Sequence, residues 1–351
     1  MAAALQAAIT RAWQGRGALS TALLPISWIY GALTAVHRWT YAIGLKRSEK
    51  LQVPVIVVGN VIAGGAGKTP TVLGVVAHLQ NLGFKPAIIS RGYGGSHQSP
   101  TVVADASTAH DVGDEPLLLW RSSGVPVVVA RDRVSAGKLL LQTHSDITHI
   151  VCDDGLQHYR LFRDLEVCVF DSRGLGNGRL LPAGMLRQPW PRTPVTAVGQ
   201  STQGLMVLKT GQSDLDGHLA TRVLSETAIN GHGQTIALDA LRKSGTPLHA
   251  IAGIAQPDNF FRMLQAKGLD LQTTEGLPDH YDFDSYSRKS DGREVLICTE
   301  KDATKLWRHR PDAWAVPLLQ TLPPSFLAAM DQALLPQHTP PVSSPHGHTT
   351  H

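Results

Sequence analysis

The run Gly64-Gly65-Ala66-Gly67-Lys68-Thr69 joins pliant backbone to a cation and a hydroxyl. That combination holds phosphate: glycines let backbone N–H groups converge on anionic oxygens, a lysine reaches the terminal phosphates, and a threonine hydroxyl ligates magnesium. An apolar strand, Val55-Ile56-Val57-Val58, precedes it, and an apolar-periodic helix from Val72 to Leu82 follows. The strict phosphate-loop pattern requires glycine at position 62, where this chain has Ile62. The run matches instead the G-G-x-G-K-T core of the deviant loops, with Ala63 where some of those carry an extra lysine. Residues Ile62, Ala63, Gly64, Gly65, Ala66, Gly67, Lys68 and Thr69 are therefore the expected nucleotide cradle, with Lys68 in the chemistry and Thr69 on the metal. ATP and Mg2+ are the expected ligands.

Carboxylates come next. The run Ile147-Thr148-His149-Ile150-Val151-Cys152 ends in Asp153-Asp154, the strand-end aspartate that orients magnesium in such sites. Asp153 is the expected ligand and Asp154 its neighbour or alternative, although one of the two can serve as a turn cap. Asp114 and Glu115 follow a turn at Asp111-Val112-Gly113 and open a helix, Pro116 to Trp120. Asp114 reads either as a base for an attacking alcohol or as a helix cap, and Glu115 is a further magnesium candidate. Arg91, Arg131, Arg133, Arg179 and Arg187 each adjoin a strand end or a glycine-rich turn, as anion contacts or as solvated charges. Arg91 and Arg179 rank first among them.

These residues need a scaffold, and the apolar spacing supplies one. Val53–Val58, Pro86–Ser90, Val125–Ala130, His149–Cys152 and Val167–Phe170 are short, nearly continuous apolar runs, each ending in a polar loop. Such runs belong to a mostly parallel sheet covered on both faces, with ligands beyond the carboxyl ends of the strands. Val195–Val198 and Leu205–Leu208 continue the pattern before a polar hairpin region. A second set, His249–Ile254, a helix through Phe260 to Lys267 and Glu294–Cys298, reads as a smaller α/β lobe. The expected class is an α/β, P-loop NTPase-like fold. Its expected segments are a hydrophobic and basic N-terminal one (1–50), a P-loop kinase domain (51–230), the smaller lobe (231–335) and a disordered tail (336–351).

The N-terminal segment is unlike the rest. Arg11, Arg16, Arg38, Lys46 and Arg47 all precede the first acid, Glu49, and an apolar stretch from Ala18 to Leu45 is interrupted by Pro25, His37 and Arg38. Trp28, Tyr30, Trp39 and Tyr41 are the aromatics of a membrane interface. Contact with a lipid surface is expected, a core-packed helix pair or one full span being the alternatives. At 351 residues with a net charge of +4 and no basic aromatic patch, the chain gives little reason to expect nucleic acid. Three cysteines without C-x-x-C spacing indicate neither a disulfide framework nor a zinc site and fit a reducing cytoplasm.

Taken in order, the phosphate loop, Ser90-Arg91-Gly92-Tyr93-Gly94-Gly95, Val112-Gly113-Asp114-Glu115-Pro116, Asp153-Asp154-Gly155-Leu156-Gln157-His158, Gly176-Asn177-Gly178-Arg179-Leu180-Leu181-Pro182-Ala183-Gly184 and Thr299-Glu300-Lys301-Asp302-Ala303 give a clear likeness. The chain resembles the tetraacyldisaccharide 4'-kinase family of the lipid A pathway, from about Val53 to Lys305. The resemblance implies ATP-dependent phosphorylation of the 4'-hydroxyl of an acylated glucosamine disaccharide 1-phosphate at the cytoplasmic face of the bacterial inner membrane. It implies that Asp114 pairs with His280 to take the sugar proton, and that Arg91, Tyr93, Asn177 and Arg179 contact substrate. Leu156, Met185 and Gln188 depart from the family's usual residues. A nucleotide-switch ATPase or GTPase is the competing reading of the loop alone.

Overall fold

The protein is described by a computed structural model, which covers residue 9 and residues 11–192, 204–279, 281–284, 286 and 294–334. His280, the Val195–Val198 run and the 336–351 tail lie outside these residues. Helices α1 (Ala18–Ala22) and α2 (Leu24–Ala42) precede the first strand. Strand β1 (Val55–Gly59) then leads through the glycine loop to α3 (Lys68–Asn81). The first lobe continues with β2 (Pro86–Ser90), β3 (Thr101–Val102), α4 (Ala109–Val112), α5 (Asp114–Ser123), β4 (Val127–Val129), α6 (Arg133–Thr143), β5 (His149–Asp153), β6 (Leu165–Phe170), β7 (Leu205–Lys209) and β8 (His218–Leu219). Its sheet runs β3-β4-β2-β5-β1-β6-β7-β8, all neighbours parallel except β3 with β4.

Strand β1 is buried over its whole length because both faces are covered. Ile56 and Val58 pack with Val72, Val75, Val76 and Leu79 of α3, whose i, i+3, i+4, i+7 spacing makes one apolar face. Val55 and Val57 point the other way, to Leu140 of α6 and to Leu156 and Leu186. Register sets the functional edge: Val58 pairs with Asp153 on one side, and Gly59 pairs with Cys168 on the other. The carboxyl ends of β1, β5 and β6 thus lie side by side, as expected of an open α/β sheet.

Strand β9 (Thr221–Leu224) leads into the second lobe: β10 (Thr227–Ile229), β11 (Thr235–Ala237), α7 (Leu238–Lys243), β12 (Leu248–Ala252), α8 (Pro257–Ala266), β13 (Leu271–Gly276), β14 (Val295–Thr299), α9 (Glu300–Leu306) and β15 (Trp314–Val316). Its sheet order is β11-β10-β15-β14-β12-β13. Strand β16 (Leu318–Thr321) returns antiparallel to β9, and α10 (Pro324–Leu334) goes back to the first lobe, burying Phe326 and Met330 in its core. His78 of α3 meets Asp331 of α10 at 2.8 Å, and Gln320 of β16 donates to Thr71 of α3. The lobes are therefore not consecutive stretches of chain: two antiparallel strands join them and the last helix completes the first.

The N-terminal helices are packed by their polar side. Ser20 and Ser27 are buried, bonding the carbonyls of Ala183 and Leu180, and the Tyr30 hydroxyl donates to the carbonyl of Arg187. Of the four interface-type aromatics, Tyr30 and Tyr41 thus turn inward while Trp28 and Trp39 are exposed. No helix among the described residues is long and apolar enough to cross a membrane. All three cysteines are buried free thiols.

Because Phe326 is fully enclosed, Phe326→Ala leaves a large cavity between α10 and the sheet. Denaturant unfolding should show a loss of about 3–5 kcal/mol.

Candidate active site

The glycine loop divides into a stem and a cradle. Ile62 is fully buried and bridges Leu186 antiparallel, the Ala63 N–H donates to the Met185 carbonyl at 2.8 Å, and the Arg187 N–H donates to Val61. Those two residues, expected in the cradle, are its stem: Ile62 replaces glycine because its side chain fills the core behind the loop. The cradle begins at Gly64, at φ 85°, and closes at Gly67, at φ 87°, a left-handed conformation that glycine adopts without strain. A Cβ on Gly67 would sit 3.1 Å from Thr210, so the position is also sterically closed. Gly67 caps α3, aiming the positive helix end and Lys68, its first residue, into the cradle.

Asp153, at the end of β5, is 1% exposed. Burial, then the nearby carboxylates of Glu115 and Asp154, push its proton affinity up to about 7 against the pull of Lys68 and a hydrogen bond from Ser90 at 3.2 Å. Its Oδ1 atom is buried without a hydrogen-bond partner. Asp154 sits at φ 47°, left-handed for a non-glycine residue, and is held by cations. Lys68 Nζ is 3.8 Å from its carboxylate, Arg187 donates to both oxygens at 3.3 Å, and Arg133 donates to its carbonyl at 3.1 Å. Burial alone would raise the Asp154 carboxyl, but Lys68, Arg187 and Arg133 outweigh it and hold it below its ordinary value.

Among the described residues no three His, Cys, Asp or Glu side chains converge into a ready metal cage. Magnesium does not require one, since it keeps waters and phosphate oxygens as ligands beside one or two carboxylates. The all-oxygen donor set and the orphaned Asp153 oxygen suit it, with Thr69, Asp153, Asp154 and Glu115 as the residues at hand.

Asp114 and Glu115 open α5, and both meet the second lobe. Lys305 Nζ is 3.3 Å from the buried Asp114 carboxylate, and Lys301 Nζ is 3.2 Å from Glu115 and 3.3 Å from Asp279. Lys301 and Lys305 lie one turn apart on α9, so one helix face clasps both acids. Burial would lower the Lys301 ammonium, but Glu115, Asp279 and Asp114 win and raise it. Asp302, in the Thr299-Glu300-Lys301-Asp302-Ala303 run, is buried and receives the Gly253 N–H and the Thr299 hydroxyl. Burial lifts its carboxyl to about 6, and the bonds anchor α9 to the end of β12.

The expected substrate contacts separate into two groups. Arg91 and Tyr93 are exposed beside the carboxyl edge of the sheet. Asn177 is 6% exposed, its amide donating to Ala12, Gly15, Ser20 and Ala183, so that in this structure it ties the N-terminal segment to the 177–187 loop. Arg179 reaches the hydroxyls of Ser20 and Thr21 on α1. The departures from the family pattern are packing residues: Leu156 lies against Gly59, Met185 is core, and the Gln188 amide lies 3.0 Å from the Tyr159 hydroxyl.

Sequence reading missed Lys305, Asp171, Arg173, Thr210 and Gln256. The i, i+4 lysines after a strand could have signalled a helix face aimed at acids. Arg173 carried no signal beyond its place two residues after Asp171, at a strand end.

A parallel sheet with a glycine cradle, a lysine on the following helix and a carboxylate at the next strand end defines a P-loop phosphotransferase built of two α/β lobes. A sequence model of the Tetraacyldisaccharide-1-P 4'-kinase family matches residues 19–335, and the chain belongs to that family. It is 55% identical over 326 residues to the tetraacyldisaccharide 4'-kinase of Acidovorax sp. (strain JS42), covering 92% of this chain and 93% of that one. It is 44% identical over 349 residues to that of Polaromonas naphthalenivorans (strain CJ2), covering 97% and 98%. A crystal structure of LpxK from Aquifex aeolicus in complex with ATP superposes with a TM-score of 0.73 at 26% identity, over 90% of this chain and 99% of that one.

Burial and the neighbouring carboxylates make the ionised form of Asp153 costly. Asp153→Asn should therefore stabilise the ligand-free protein at pH 8 by about 1 kcal/mol, read by thermal unfolding, while lowering turnover by at least about a hundredfold.

Proposed function

We infer that the chain transfers the γ-phosphoryl group of ATP to the 4'-hydroxyl of an acylated glucosamine disaccharide 1-phosphate, forming the 1,4'-bisphosphate of lipid A biosynthesis. The observation that carries this reading is the meeting of the Lys68 cradle and the Asp153-Asp154 pair with Asp114-Glu115 at the junction of the lobes. A nucleotide switch would leave Asp114 and its lysine without a task, and family membership disfavours it.

In the proposed reaction the cradle N–H groups and Lys68 hold the migrating phosphoryl and neutralise the charge it develops. Asp114, in concert with His280, takes the proton as the sugar oxygen bonds phosphorus and the bond to the ADP oxygen breaks; the carboxylate orients the imidazole and stabilises its charged form. Thr69, Asp153, Asp154 and Glu115 would hold magnesium, which would screen the phosphate charges when bound. Arg91, Tyr93, Arg179 and Arg187 are the proposed contacts for the sugar and its 1-phosphate, and Asn177 supports them through the 177–187 loop.

The N-terminal helices are the proposed attachment to the inner-membrane lipid surface. Ile26, Ile29, Leu33, Val36, Trp39 and Ile43 recur every three or four residues, and each is between 47% and 66% exposed. Such a stripe on a helix whose polar side faces the protein is inverted relative to a helix of a water-exposed surface. Arg38, Lys46 and Arg47 flank it and suit anionic headgroups. Peripheral docking of this kind sets the 177–187 loop beside the surface that holds a lipid substrate.

Incubation with labelled ATP, magnesium and disaccharide 1-phosphate lipid should yield a doubly phosphorylated lipid, and Asp114→Ala should lower kcat by about 10²–10⁴. ATP hydrolysis without lipid product would overturn the assignment. Leu33→Asp with Val36→Asp should abolish flotation with anionic vesicles while leaving the unfolding midpoint unchanged; undiminished flotation would remove the helix from membrane attachment.

A further inference from the structure

Four consecutive carbonyls, from the stem residue Ala63 into the cradle as far as Ala66, are held from outside by side chains. Arg173 Nη1 donates to Ala63 O at 3.3 Å, Asn60 Nδ2 to Gly64 O at 3.1 Å, Arg173 Nη2 to Gly65 O at 3.2 Å, and Thr210 Oγ1 to Ala66 O at 3.0 Å. In a trans peptide the C=O of one residue and the N–H of the next point in opposite directions. Fixing these carbonyls therefore aims the N–H groups of Gly64, Gly65, Ala66 and Gly67 away from the groups that hold them, as an anion nest requires. Arg173 holds two of the four and is the only charged member of the set.

Arg173 is itself oriented. Its Nε lies 3.0 and 2.9 Å from the two Asp171 oxygens, and Nη2 lies 2.7 Å from Oδ2. Asp171 follows β6 and is 5% exposed. Its Oδ2 also accepts from Gln256 Nε2 at 2.8 Å, and Gln256 immediately precedes α8 in the second lobe. The adjacent Ala255 methyl lies 3.5 Å from where a Cβ on Gly64 would stand. A single hydrogen-bonded chain thus runs from the second lobe through Gln256, Asp171 and Arg173 to the cradle.

We propose that Arg173 is a positioning residue for the phosphate loop, and that Gln256 and Asp171 make its grip depend on the approach of the second lobe. The proposal rests on the reading that the cradle receives the phosphates of a nucleoside triphosphate. Both lobes must then be in place before the N–H groups are fully aligned, which ties nucleotide affinity to lobe closure. Lysine at position 173 offers a single ammonium in place of a planar fork, and cannot span two carbonyls while paired with Asp171.

The test compares full-length wild-type, Arg173→Met, Arg173→Lys and Gln256→Ala proteins by calorimetric titration with ATP, by thermal unfolding with and without ATP, and by separate KM values for ATP and lipid. Arg173→Met should weaken ATP binding at least tenfold and raise KM for ATP, with KM for lipid within twofold of wild type. Arg173→Lys should recover only part of the loss, and Gln256→Ala should weaken ATP binding about threefold without lowering the unfolding midpoint. Unchanged ATP affinity in a folded Arg173→Met or Arg173→Lys protein overturns the positioning role, and unchanged affinity in Gln256→Ala overturns the link to the second lobe. If Arg173→Met does not fold, the lysine and Gln256 variants carry both readings. Failure of the wild type to bind ATP instead overturns the assignment of the cradle.

Discussion

Glu115 and Asp154 lie close enough to raise the cost of ionising Asp153, which is almost entirely out of water. Carboxylates gathered around a buried one repel, and such an arrangement persists only when cations hold it from several sides. Lys68 comes from the helix after the glycine loop, Arg187 from the loop under the N-terminal helices, Arg133 from the start of α6, and Lys301 from the second lobe. Each of these cations belongs to a different element. The acids therefore draw the elements of both lobes to one edge of the sheet, and the electrostatic requirement of a phosphate and metal site becomes a requirement on the fold.

The topology meets that requirement because the lobes are interleaved. The chain leaves the first lobe by β9, returns by β16, and completes the first core with Phe326 and Met330 of α10. Gln320 of β16 bonds Thr71 of α3, so the connection itself is seated on the helix that bears Lys68. Two strands form a joint of limited freedom, narrower than a single flexible linker would allow. Across it, α9 reaches Asp114 and Glu115, and the residues before α8 reach Asp171. The second lobe thus touches the site on the acids and on the back of the phosphate loop, and a small change in lobe angle would act on both.

What the sequence made legible follows from what is local. Strand burial on both faces, the glycine loop with Lys68 and the aspartates at the end of β5 all depend on neighbours in the chain, and their types and spacing state them. Ile62 was readable as a departure but not as a stem residue, because its reason is Leu186, far along the chain. Asn177 invited a reading as a ligand contact, yet its amide is engaged by carbonyls of residues 12 and 15 in a segment no motif connects to it. Arg173 and Lys305 act through partners that only tertiary structure brings near. Asp302 lay in a recognisable motif, and its bonds to Thr299 and Gly253 show the motif anchoring a helix.

The N-terminal helices pose the same problem in reverse, since there the composition was plain and the orientation was not. An apolar helix laid on a protein ordinarily buries its apolar face; α2 buries Ser27 and turns Trp28, Ile29, Leu33 and Val36 outward. The hydroxyls that face inward bond carbonyls and an N–H of the 180–187 loop, polar groups that the helix covers. The loop thus needs a polar lid, and the helix that supplies it is left with an apolar exterior. That exterior would be costly in water and favourable against lipid. The same helix completes the loop bearing Arg179 and Arg187, so the surface that would meet the membrane and the cations that would meet a phosphorylated lipid are two sides of one packing arrangement.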